Sequence, residues 1–375
     1  MANANQVALG RSNLSTGTGY GGATDKYALY LKLFSGEMFK GFQHETIARD
    51  LVTKRTLKNG KSLQFIYTGR MTSSFHTPGT PILGNSDKAP PVAEKTIVMD
   101  DLLISSAFVY DLDETLAHYE LRGEISKKIG YALAEKYDRL IFRSITRGAR
   151  SASPVSATNF VEPGGTQIRV GSGTNESDAF TASALVDAFY DAAAAMDEKG
   201  VSSQGRCAVL NPRQYYALIQ DIGSNGLVNR DVQGSALQSG NGVIEIAGIH
   251  IYKSMNIPFL GKYGVKYGGT TGEVSPGKLG DHIGPTPENA NATGGVNNDY
   301  GTNAELGTKS CGLIFQKEAA GVVEAIGPQV QVTNGDVSVI YQGDVILGRM
   351  AMGADYLNPA AAVELHIGST APSAF

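Results

Sequence analysis

The sequence has no tryptophan, only two cysteines and only six histidines in 375 residues. Cys207 and Cys311 are too few and too far apart for a disulfide-stapled secreted scaffold. Each lies in an apolar stretch, Cys-Ala-Val-Leu and Cys-Gly-Leu-Ile-Phe. Both are therefore expected as buried free thiols, which pack as small hydrophobes. The histidines are His44, His76, His118, His250, His282 and His366. No two stand at the spacing of roughly three to five residues that suits two ligands of one metal ion. A strong charge of either sign is also missing: 32 Lys+Arg against 36 Asp+Glu leave −4. A protein that reads nucleic-acid grooves carries a basic excess or a dense basic face, and neither is present. No apolar run approaches the ~18 residues of a membrane-spanning helix. The opening Met-Ala-Asn-Ala-Asn-Gln is polar, without the apolar segment of a signal peptide. The expectation is a soluble protein made in a cytosol, with no membrane partner.

What the chain has in excess is glycine, 46 residues, beside a 42% hydrophobic and 18% charged composition. Many loops around a modest core are expected. Residues 1–24 are polar and Gly-rich and read as an extended arm that orders against a neighbour. A short amphipathic helix follows, with Leu29, Leu33 and Met38 at near-helical spacing and Thr24 or Asp25 as cap. Asn59-Gly60 is a turn signal between strand-like runs. Leu63, Phe65 and Tyr67 alternate with smaller or polar residues, and Lys95–Met99 returns as a strand. This is a long two-stranded excursion with a Pro-rich tip. An isolated hairpin is marginal in water, so it is expected to need another subunit.

The strongest helix signal spans residues 111–147. Leu121, Ile125, Ile129, Leu133, Tyr137 and Ile141 step by four. Asp111, Asp113 and Glu114 suit its positive end, Arg143 and Arg147 its negative end, and Gly148 is placed to stop it. Gly123 and Gly130 inside it mark a bend or a close contact. The basic cluster from Arg139 to Arg150 reads as the polar face of this helix. A second helix carries Leu185, Phe189, Ala192 and Met196 on one face and ends before Gly200. Arg206–Leu210 reads as a buried strand, Asn211-Pro212 as the start of another helix. Residues 243–252 read as two strands joined at Gly248, making 182–255 a compact α/β unit. Residues 260–310 form a long irregular loop. Strands return at 337–341, 345–351 and 362–367.

Chemistry is hard to find. Gly17-Thr18-Gly19-Tyr20-Gly21-Gly22 fits the dinucleotide pattern but has no strand before it. Gly272–Leu279 nearly matches a phosphate-binding loop, yet Leu279 stands where the magnesium-binding Ser or Thr belongs. Asp100-Asp101 and Asp111, Asp113, Glu114 are acidic clusters, the second explained by helix-end charge. No G-x-S-x-G elbow is present. The sequence offers no catalytic residues, no cofactor-binding residues and no metal ligands, so a protein without enzymatic activity is expected.

Several stretches resemble the major capsid proteins of T-seven-type podophages, short-tailed double-stranded DNA phages. These are Thr24–Glu37, Gly60–Phe65 with Gly69-Arg70, Asp100–Ile104 through Val109–Asp111, and His118–Arg122. Met350–Gly353 and Leu357–Ala361 resemble the family's closing motif. The resemblance thins at 151–180 and 260–305, and overall similarity points to a marine cyanobacterial host. It implies an α+β protein of the Hong Kong ninety-seven capsid fold. The expected parts are an N-terminal arm, 1–57, and an E-loop, 58–100. A peripheral domain takes 101–181 and 332–375, with spine helix 111–147, and an axial domain takes 182–331. It also implies self-assembly into pentamers and hexamers of an icosahedral head, with scaffolding and portal proteins as partners. That head encloses double-stranded DNA without sequence-specific binding, and the protein is located in the virion capsid. The competing readings are an encapsulin-type cargo shell of the same fold, an enzyme using the 260–305 loop, and an adhesin or surface-layer protein.

Overall fold

In a computed structural model the described residues are 46–70, 73, 75–79, 92–99, 102–112, 121–157, 160–171, 179–220, 244–254, 256–257, 310–332, 342–367 and 371. The expected arm with its helix, both glycine motifs, the strand at 337–341 and the loop 260–305 lie outside them. In chain order the elements are α1 (Ala48–Leu51), β1 (Thr53–Thr56), β2 (Ser62–Thr68), β3 (Val92–Val98), β4 (Leu103–Tyr110) and α2 (Leu121–Ala149). Next come β5 (Ser156–Ala157), β6 (Phe160–Val161), β7 (Thr166–Arg169), α3 (Ala182–Glu198), β8 (Arg206–Leu210) and α4 (Pro212–Gln220). The last are β9 (Ile244–Ile246), β10 (Ile249–Lys253), β11 (Ser310–Gln316), β12 (Ala320–Val332), β13 (Gly343–Tyr356) and β14 (Ala362–His366).

The chain divides into two compact units. The first is Met1–Glu45, Asp101–Glu135 and Ile326–Ala351; the second is Thr46–Asp100, Lys136–Ala325 and Met352–Phe375. In the first, β4 pairs antiparallel with β13 from Tyr110↔Gly343 to Leu103↔Met350. Alternation on β13 sends Ile346, Gly348 and Met350 inward. Gly348 leaves room for α2: a Cβ there would stand 2.3 Å from Ile129 Cγ2 and 3.0 Å from Leu133 Cδ1.

The second unit holds a six-stranded sheet in the order β7-β14-β11-β8-β10-β9. Its central strands β8 and β14 are buried at every position, as expected for strands covered on both faces. The expected α/β elements at 182–255 are present. Leu185, Phe189, Ala192 and Met196 are all buried on α3. Gly200, at φ +69, ends that helix, with Gly200 N–H on Asp197 O and Val201 N–H on Met196 O, the Schellman pattern. Asn211 opens α4, and Gln214 three residues on accepts from the Asn211 N–H at 3.1 Å, half of a capping box. Ala247 and Gly248 both have positive φ, the tight turn a two-residue hairpin needs. The sheet also recruits β7 and β14, from stretches that the sequence reading groups with the spine helix. Strand pairing across about 200 residues leaves no local pattern in a chain.

Gly60 turns the chain at φ +99 between two strands, as expected, and each of those strands pairs elsewhere. β1 runs parallel to β12, Thr53↔Gly321 to Thr56↔Glu324, and β2 pairs with β3. Two expectations change. Gly148 does not stop α2, which continues to Ala149; it is small because a Cβ would meet Tyr356 Cβ at 2.9 Å. The arginines from Arg139 to Arg150 do not form one solvated face: Arg139 and Arg150 are buried, Arg143 half-buried and Arg147 exposed. Around them Leu140, Ile141, Phe142 and Ile145 are also buried, so this end of the helix is enclosed on most sides. Asp111 and Leu112 are helical, and residues 113–120 lie outside the described set.

Candidate functional site

Among the described residues, three carboxylates are held in buried ties. Glu364 lies at the centre of β14, and Arg150 grips it with Nε and Nη2, each at 2.7 Å from a carboxylate oxygen. Ser310 Oγ donates to the same carboxylate, and Gln167 Nε2 donates at 3.1 Å. Both side chains of the ion pair are shut off from water. Glu324 on β12 accepts from Tyr137 Oη at 2.8 Å and Lys54 Nζ at 2.7 Å, with Arg49 at 3.3 Å. Burial works to raise its pKa. The Lys54 and Tyr137 hydrogen bonds and the Arg49 charge outweigh that and hold the carboxyl below the usual range. Asp138 accepts from Thr46 Oγ1, from the N–H groups of Ile47 and Ala48, and from Asn256 Nδ2. Here burial dominates and raises the pKa. Each of these three carboxylates is spent on holding backbone or a cation.

In the structure His250 is exposed beside Glu245, and His366 is buried in β14. Among the described residues no three His, Cys, Asp or Glu side chains gather as metal ligands. Cys207 and Cys311 are free and buried, as their apolar surroundings led us to expect. Burial pushes the Cys207 thiol up to about 12 and the Cys311 thiol up as well, which removes the reactive thiolate.

Among the described residues, exposed apolar side chains stand on the β4–β13 face and on the β2–β3 hairpin, among other places. In the first unit, the outer face of β4 and β13 carries cross-strand pairs Ile104↔Arg349, Ser106↔Leu347 and Phe108↔Val345. Ile104 is 53% exposed and Phe108 49%. In the second unit, the β2–β3 hairpin runs in register from Ser62↔Val98 to Thr68↔Val92. Leu63, Phe65 and Tyr67 lean inward while Ile66, Val92 and Val98 face out. The hairpin was expected to lack support within its own chain, and that is corrected. Ile97 is buried, Lys95 Nζ pairs with Asp355 at 2.9 Å and sits 3.7 Å over the Tyr356 ring, and Arg70 pairs with Glu162. Sequence reasoning missed these anchors because their partners lie tens to hundreds of residues away.

Comparison with known proteins gives the surfaces a context. Residues 64–366 match the family described as Gp10A-like, major capsid protein. The major capsid protein of Escherichia phage T7 is 25% identical over 354 residues, covering 92% of this chain and 94% of the relative. The capsid structure of the Cyanophage P-SCSP1u is 30% identical with a TM-score of 0.68, covering 96% of this chain and 98% of that one. The mature capsid of bacteriophage PhiM1, 14% identical at a TM-score of 0.63, covers 91% and 92% and shares the fold. The α+β architecture is the phage capsid fold of the Hong Kong ninety-seven type expected from the sequence. Buried ties, exposed apolar faces and a match running through most of the chain agree: this chain belongs to the Gp10A-like major capsid protein family.

Proposed function

We propose that the protein works only by assembly, as the coat subunit of an icosahedral phage head built from pentamers and hexamers around double-stranded DNA. The observation that carries the reading is the exposure of apolar side chains on sheet faces of a subunit whose family forms shells. Ile104 and Phe108 on the β4–β13 face, and Ile66, Val92 and Val98 among polar neighbours on the hairpin, are what an unassembled shell subunit presents, because exposed apolar patches mark contact sites. Repetition by symmetry turns many modest contacts into a closed structure. The net charge of −4 suits a wall that encloses DNA without gripping it, since tight non-specific binding needs many cationic contacts to phosphate. Scaffolding and portal proteins are the partners such assembly calls for. The similarity to a cyanophage capsid supports a cyanobacterial host. Segment 58–100 is assigned to the E-loop, α2 to the spine, and the six-stranded sheet with α3 and α4 to the axial domain. That assignment extends the axial domain beyond 182–331 to include β7 and β14.

No comparison favours a cargo shell over a phage head, and no described cluster supports catalysis. The test is a charge placed on one apolar face. Phe108→Asp is expected to abolish closed shells in electron micrographs while the subunit keeps its circular dichroism spectrum. Normal shells from this variant would remove the β4–β13 face from the assembly surface.

A further inference from the structure

The two ends of the β2–β3 ladder are held by different chemistry. At the base, where Ser62 faces Val98, the hold is close packing. Ile97 is 1% exposed. Gly321 beside it has no room for a Cβ, which would stand 2.7 Å from Leu357 Cδ1 and 3.2 Å from Ile97 Cδ1. A Cβ on Gly353 would stand 2.2 Å from the Val98 carbonyl oxygen. Met99 N–H closes the base on Lys61 O at 2.8 Å. None of this can slide without opening a void or a clash.

Toward the tip, where Thr68 faces Val92, the hold is polar. Glu162, 4% exposed, accepts from Tyr67 Oη at 3.4 Å and from the Arg70 N–H. Arg70 Nε stands 3.6 Å from the same carboxylate, and Arg70 Nη2 donates to Lys199 O at the end of α3. Gly200 gives that guanidinium its space: a Cβ would lie 3.2 Å from Nη2. Lys199 Nζ in turn donates to Gly164 O at 2.7 Å and Gly165 O at 3.1 Å. The Arg70 side chain is 59% exposed, so water and salt weaken its ion pair.

We infer that the hairpin is mounted on a fixed apolar pivot at Ile97 and held in its pose by a polar latch, with Arg70 as the positioning residue. The latch joins the hairpin to the loop before β7 and to the C-terminal end of α3. Lys95, opposite Phe65 and paired with Asp355 at 2.9 Å, belongs to the fixed end, so releasing the latch frees the tip half of the hairpin to swing without breaking its own ladder. The latch is a property of this chain alone; only its consequence, a hairpin aimed at a neighbour, rests on the proposed shell-forming role.

The test measures the hairpin's pose directly. Spin labels are placed at Glu94→Cys and Ser203→Cys of the full chain, with labelled subunits diluted into unlabelled ones. The native thiols, both buried, do not compete for label. A control pair at Asp191→Cys and Ser203→Cys reports α3. The wild-type background should give one narrow hairpin distance. Arg70→Ala should broaden it at least twofold and leave the control unchanged, and Arg70→Lys, which cannot span both acceptors, should fall between. If Arg70→Ala does not fold, Glu162→Gln, of equal volume, reads the same latch. A hairpin distance as narrow as wild type in a folded variant overturns the inference, whether or not shells form.

Discussion

Glu364 sits in the middle of a strand with every position buried, and Arg150 meeting both of its oxygens is what makes that tolerable. A buried ion pair adds little net stability, but removing one partner leaves a bare charge in a low dielectric. Arg150→Met is therefore expected to destabilise the subunit by about 3–5 kcal/mol, read from urea unfolding at unchanged slope. Arg150→Met with Glu364→Leu should recover most of that loss. If the double variant is as unstable as the single, the tie is worth more than its charge balance. Nothing in the sequence paired these residues. An arginine near a helix end reads as solvated because most are, and its partner lies 214 residues further along the chain. The cysteines were legible for the opposite reason: their apolar neighbours in the chain are also their neighbours in space.

Helix α2 shows which features of an element a sequence carries. Its 29 residues make a rod of about 44 Å at 1.5 Å each. The apolar step of four located Ile129, Leu133, Tyr137 and Ile141 on its buried side. Glycines were less readable, since a missing side chain does not say what takes its place. A Cβ on Gly130 would meet nothing within 4 Å among the described residues of its own chain, so no packing within the described subunit requires this glycine. Gly130→Ala should therefore stabilise the subunit by about 1 kcal/mol through helix propensity alone. Gly348→Ala should do the reverse, costing about 1–3 kcal/mol by overpacking, because Ile129 and Leu133 already fill its space. Thermal melting of the two variants checks both signs. The β2–β3 hairpin was legible from alternation, while its support was not, because alternation reveals a buried face without naming what buries it.

For the whole molecule, the family and the capsid fold were readable from short motifs spread along the chain, and the match over residues 64–366 bears that out. Sheet membership was not readable. The order β7-β14-β11-β8-β10-β9 joins segments from 166 to 366, and such long-range pairing is fixed by packing and by no local propensity. The central claim is that this subunit exists to form a shell, and electron microscopy of the purified full chain, alone and with a scaffolding protein, tests it most directly. Closed particles of uniform size, or hexamers that close when scaffold is added, are expected. A monodisperse monomer under every condition would contradict the account.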